Sequence, residues 1–172
     1  MLKIFRLCTV IIVSLLIVAC AKKDIKLVDE NSKIVVLELD GTSKGVKIND
    51  KFNESVLEKY TEEIDGCFLA KEINNGNNGL NYEINEKIVS RIIASRKDML
   101  SPYGVAVGDS ANKVYINHPK NIEPDIEIDE NGKEGDMFIY YKINPNKEVG
   151  VRYDISSNIV TSISVGNLFS CI

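Results

Sequence analysis

The sequence has no tryptophan, a single histidine, four prolines and four cysteines, and it has no surplus of positive charge: 21 Lys and Arg stand against 25 Asp and Glu, net −4. The missing basic surplus argues against a nucleic-acid partner, which needs a basic face, and weighs against electrostatic docking on anionic lipid. The single histidine, His118, leaves little for imidazole chemistry. A catalytic dyad needs a nucleophile and an orienting acid around it, and beside Pro119 at a predicted helix end this residue reads as exposed. No serine or cysteine sits in a nucleophile elbow, no glycine-rich loop leads into a helix with a lysine, and a zinc site lacks ligands. In 127–132, Glu-x-Asp-x-Asn-Gly echoes half of a calcium loop, but its first position should be Asp and its twelfth, here Phe138, should be Glu. The sequence therefore assigns no catalytic residue, no metal ligand and no cofactor.

No apolar run reaches the roughly 20 residues that a spanning helix requires. The run 7–16 follows Lys3 and Arg6 and ends at Ile17-Val18-Ala19-Cys20, after which the chain turns abruptly polar. That pattern resembles the signal and lipobox of bacterial lipoproteins, in which the cysteine thiol is acylated and becomes the new N-terminus. The resemblance implies lipid attachment at Cys20, residues 1–20 as signal peptide, and a cell-envelope, extracytoplasmic address. Acyl chains bind membrane firmly, since each buried methylene adds about 0.8 kcal/mol. Removing Lys3 and Arg6 leaves the remainder near −6. Outside the cytoplasm disulfides persist, so Cys67 and Cys171 are a candidate pair, with two separate buried thiols as the alternative.

The sequence is 44% hydrophobic over its full 172 residues, enough for one domain or two halves sharing a sheet. Residues 21–32 read as a tether. An internal repeat organises the chain from residue 33 onward: 82–93, Tyr-Glu-Ile-Asn-Glu-Lys-Ile-Val-Ser-Arg-Ile-Ile, returns at 153–164 as Tyr-Asp-Ile-Ser-Ser-Asn-Ile-Val-Thr-Ser-Ile-Ser. Upstream, Gly45-Val-Lys-Ile-Asn-Asp50 returns as Gly104-Val-Ala-Val-Gly-Asp109. Repeat 1 spans 33–99 and repeat 2 spans 100–172. Each is expected to hold a helix and a three-stranded antiparallel meander. In repeat 1 the helix covers 51–63, where Phe52, Val56, Tyr60 and Ile64 recur every four residues with Asp50 as N-cap. In repeat 2 it is a short helix through Asn117, ended by His118-Pro119. The alternating run 125–129 before Asn131-Gly132 predicts an added strand. The expected fold class is α+β, one sheet with the helices on one face.

Alternation assigns the faces. Tyr82 and Tyr153 share the covered side, and Tyr153→Asp is expected to unfold repeat 2. On 137–143 the parity puts Phe138 and Tyr140 on the open side, with Phe68 as their counterpart and Arg91 and Arg152 beside them. Aromatics with arginine on an open sheet face are what protein interfaces concentrate; packing on each other or on loops is the alternative.

The order of a Gly/Asp turn, a helix and a meander, repeated, resembles the tandem architecture of β-lactamase-inhibitory-protein-like domains. Unit by unit it is similar to the SmpA/OmlA-type lipoproteins of outer-membrane assembly. Gly45, Asp50, Val56 and Gly104, Asp109, Val114 carry the likeness, over about residues 34–169. The family's Gly-x-Pro after the helix is missing from both units, and its assembly lipoproteins usually have one unit. The resemblance implies a lipid-anchored module that binds a protein, in envelope assembly or as an inhibitor of a secreted hydrolase. A small-ligand-sensing or structural lipoprotein is the alternative, and an enzyme is less expected.

Overall fold

The computed structural model describes residues 35–42, 45–73, 79–143, 148–169 and Cys171; the leader with Cys20, the tether and most of both Asn-rich turns lie outside these residues. Within them the chain is mostly β. Strands β1 (Val35–Glu38), β2 (Gly41–Thr42), β3 (Leu57–Lys59), β4 (Cys67–Glu72), β5 (Leu80–Asn85), β6 (Ile88–Ala94) and β7 (Met99–Leu100) precede the helix α1 (Ala111–Asn117). Strands β8 (Asp125–Ile128), β9 (Met137–Lys142), β10 (Val149–Ser156) and β11 (Ile159–Asn167) follow it. One sheet is antiparallel throughout, in the order β3-β4-β5-β6-β11-β10-β9-β8; a small second sheet has the order β2-β1-β7.

The large sheet consists of two four-stranded halves that meet at β6 and β11. At the junction Ala94 pairs with Ile163 and Ile92 with Val165. Since Ile92 corresponds to Ile163 in the repeat, the exchange is reciprocal about the pair Ile93–Ser164, which marks an approximate two-fold axis. Each half turns its hairpin on two residues of positive φ, Glu86-Lys87 and Ser157-Asn158, the two-residue turn whose twist suits flanking strands. Each half also carries a bulge at the same repeat position, after Glu83 and after Asp154. Gly166 lies opposite Arg91 in the junction with φ +110°, and a Cβ there would run into the Ser90 carbonyl. Only glycine suits that backbone.

The repeated Gly-Val-x-x-x-Asp segment forms one turn twice. The Asp50 carboxylate accepts the Lys47 N–H at 2.7 Å, and that of Asp109 accepts the Ala106 N–H at 2.6 Å. Both turns then lock onto a hairpin strand: Val89 N–H donates to the Asp50 carbonyl at 2.9 Å, and Val160 N–H to that of Asp109 at 2.8 Å. Asp50 thus closes a turn and caps no helix.

Beyond this point the halves diverge, and the expected α+β class is overturned. The second half forms α1, seven residues with Ala111 and Val114 buried. The first half has no helix over 51–63. Asn53 takes the Ser55 N–H on its side chain at 2.9 Å, a local bond that favours a turn over a helix. Leu57, buried, then starts the edge strand β3, paired with Glu72 of β4. Val56, Tyr60 and Ile64 are exposed, so their four-residue recurrence marks no buried stripe. The sheet is not covered by the pair of helices that the α+β expectation required. Its apolar face carries the small sheet, the two lead-in turns and α1, joined in one cluster in which Leu37, Met99, Val105, Val107 and Val114 are buried with Tyr82, Ile92, Tyr153 and Val165. Such burial contributes about 1.5–3 kcal/mol for each large side chain before entropy is subtracted.

Candidate functional site

The other face of the sheet is polar and is built symmetrically. At each bulge sits an acid, Glu83 or Asp154, whose carbonyl accepts a hydroxyl from the partner strand: Ser90 at 3.1 Å and Thr161 at 3.0 Å. Each carboxylate then receives an arginine. Glu83 pairs with Arg91 and also accepts Ser90 Oγ at 2.8 Å. Asp154 accepts Arg152 Nε at 2.6 Å and Ser162 Oγ at 2.6 Å. The Glu83–Arg91 pair is buried, the Arg152–Asp154 pair only partly so. Burial pulls the Arg91 guanidinium below its usual range, against the opposing pull of Glu83, and the Arg152 charge lowers it further.

Around Arg152 the aromatic residues converge. Its guanidinium lies 4.1 Å from the Phe138 ring centre and 5.7 Å from that of Tyr140, inside the range of a cation–π contact. Tyr140 stacks on Phe169 and donates its hydroxyl to Glu127 at 2.8 Å. Burial and that bond push its hydroxyl up to about 12. Past β11 the chain turns back over this face: Phe169 reaches β9, while Cys171 forms a disulfide with Cys67 of β4, Cα to Cα 6.1 Å. This strap crosses from one half of the sheet to the other.

Of the residues expected on an open binding face, the structure gathers Phe138, Tyr140, Arg91 and Arg152 on one side of the sheet, but only Phe138 and Arg152 keep appreciable exposure. Tyr140 and Arg91 are each 5% exposed, closed off by Phe169, Glu127 and the Glu83 pair. Phe68 belongs to the opposite face. Ala70 pairs with Tyr82 as Ile139 pairs with Tyr153, so the counterpart of Phe138 is Leu69, and a slip of one residue turns a side chain to the other face. Phe68 packs edge-to-face on Phe52 at 5.0 Å and helps line a groove of 530 Å³ with Leu57 and Lys59.

His118 is not exposed. It lies 4% exposed behind α1, its ring stacked on Tyr141 with centres 3.4 Å apart, and Nε2 stands 2.8 Å from the Tyr153 hydroxyl. Burial lowers its pKa to about 4 and raises that of Tyr153. In the first half the matching Tyr82 donates to Glu72 instead. The histidine thus fills a polar socket in the core. The sulfurs of Cys67 and Cys171 and a Glu83 oxygen lie within 4.8 Å of one another, but the bridge uses both sulfurs and offers no thiolate to a metal. The bridge joins the candidate pair Cys67 and Cys171; sequence reasoning missed that it straps the polar face, and it missed the arginine that each bulge acid receives.

No family of known proteins, no characterised protein and no solved structure matches this chain.

Proposed function

We propose that this chain is an extracytoplasmic binding module, held to a membrane by lipid at Cys20, that engages a protein partner through the polar face of its sheet. One observation carries the reading: a face uncovered by helices holds an arginine laid on two aromatic rings, with Phe138 and Arg152 partly buried and each still presenting some surface to a partner. Fixed aromatic and guanidinium surfaces lose little conformational entropy on binding and dominate interface energetics. The lipobox-like segment supplies the anchor, and the Cys67–Cys171 bridge suits an oxidising compartment. The engagement of His118 in the core supports binding over acid–base catalysis.

The test substitutes Phe138→Ser and Arg152→Ala in the full chain and compares the proteins co-purified from envelope extracts. Specific capture is expected to fall at least tenfold in each variant, with the melting temperature within a few degrees of the parent. Unchanged capture by both variants would count against the reading.

A further inference from the structure

The last strand of the large sheet, β8, has no neighbour on its outer side among the described residues. All four of its residues are exposed, Ile126 at 52% and Ile128 at 60%. Its register on β9 sets Ile126 beside the buried Ile139 and Glu127 beside Phe138. The isoleucines therefore continue the apolar face one strand past its cover, and Asp125 and Glu127 continue the polar face. Asp129 N–H donates to the Asp136 carbonyl at 3.0 Å. Counting by twos along an antiparallel ladder, the backbone groups of Ile126 and Ile128 point outward, away from β9.

A free edge with apolar side chains on it invites strand addition, and proteins usually blunt such edges. The opposite edge, β3, is three residues long and has its one apolar residue, Leu57, buried. On β8 the only restraint is charge. Residues 123–136 hold seven carboxylates against one base, Lys133, in a chain whose total charge is −4. Pairing with a second copy through β8 would bring Asp125 and Glu127 opposite their own kind, and like charges across a ladder destabilise it.

We infer that β8 is the docking edge for an extended, basic segment of a partner protein, which adds a ninth strand with alternating apolar and Lys or Arg side chains. Main-chain bonds to Ile126 and Ile128 supply affinity, and side-chain alternation supplies specificity. The apolar side chains of the added strand lie beside Ile126 and Ile128. Its cations lie beside Asp125 and Glu127, next to the Phe138–Arg152 surface. The inference rests on the chain being a protein-binding module and names the partner's chemistry.

The test is hydrogen exchange on the full chain in zwitterionic micelles, with an acetylated heptapeptide alternating Lys and Val as probe and the same peptide with Glu in place of Lys as control. The basic peptide is expected to slow exchange at the amides of Ile126 and Ile128, and the acidic one to leave them unchanged. Asp125→Asn combined with Glu127→Gln, which remove both charges but keep oxygen acceptors for Lys142 and the Tyr140 hydroxyl, is expected to weaken the basic peptide at least tenfold while leaving melting within a few degrees of the parent. Higher salt weakens it as well. Absence of protection by the basic peptide overturns the inference, as does equal protection by both peptides, or protection that grows with protein concentration alone and so marks self-pairing. If Phe138→Ser and Arg152→Ala leave partner capture intact while the β8 amides are still protected, the face reading fails and the edge stands.

Discussion

Single side chains bring ionisable groups into the interior of this protein in two ways, one neutral and one charged. His118 is held neutral because its ring is sealed between Tyr103 and Tyr141. Its folded pKa, about 4, lies below the ordinary 6.5, so the unfolded chain binds the proton more readily. The neutral histidine's contribution is therefore full above about pH 6.5 and is lost progressively as pH falls toward 4, on the order of 3 kcal/mol in all. Urea unfolding at pH 7 and pH 4.5 checks this: His118→Phe is expected to be less stable at pH 7 and to lose less on acidification than the parent. A parent as stable at pH 4.5 as at pH 7 would contradict it. Arg91 is the other case. Arg91→Met leaves the buried Glu83 carboxylate without its guanidinium and is expected to cost about 3–5 kcal/mol, whereas Arg91→Met with Glu83→Leu recovers most of that loss. Neither role was legible in the sequence. Beside Pro119 a histidine reads as surface, and nothing local shows that Tyr141 and Tyr153, far along the chain, close over it.

At the scale of elements, the hairpins, β4, β9 and α1 were legible because their alternation or their stop signals match what the structure buries. The failures have identifiable causes. In 51–63 the spacing of Phe52, Val56, Tyr60 and Ile64 imitates a helix, but pairing of Leu57 with the edge of β4 and the Asn53 turn win over that periodicity. The Phe68 error arose from aligning β4 with β9 one residue out of register, since β4 shares too few residues with β9 to fix the phase. Of the covering sheet only the β-branched run 33–39 reads as a strand in the sequence, because β2 and β7 are two residues each and have no period to detect. The strap is an element in its own right. Cys171→Ser opens a closure of 104 residues and is expected to lower stability by about 2–5 kcal/mol. Denaturant unfolding under oxidising and reducing conditions measures it: the variant should be indifferent to reductant, and the parent should fall to its level. A parent insensitive to reductant would mean that the bridge adds no stability.

For the whole molecule, the repeat gives more than economy of sequence. Two halves joined about Ile93–Ser164 make one continuous sheet whose apolar side is covered up to β8 and whose polar side keeps Phe138, Arg152 and the β8 edge accessible beside the strap. A lipid at Cys20 would fix that surface near a membrane while leaving it in water, so an acidic, edge-exposing module would meet basic extended segments of neighbouring proteins. The prediction at this scale is that Cys20→Ala moves the chain from the detergent phase to the aqueous phase on Triton X-114 partition without changing its melting. Retention of the variant in the detergent phase would remove the anchor from the account. The most direct measurement of the central claim is photo-crosslinking in intact cells from a benzoylphenylalanine placed at Phe138, with the exposed Glu62 position as reference. The account predicts a discrete protein adduct from position 138 that position 62 does not give; no adduct at 138, or the same pattern from both positions, would contradict it.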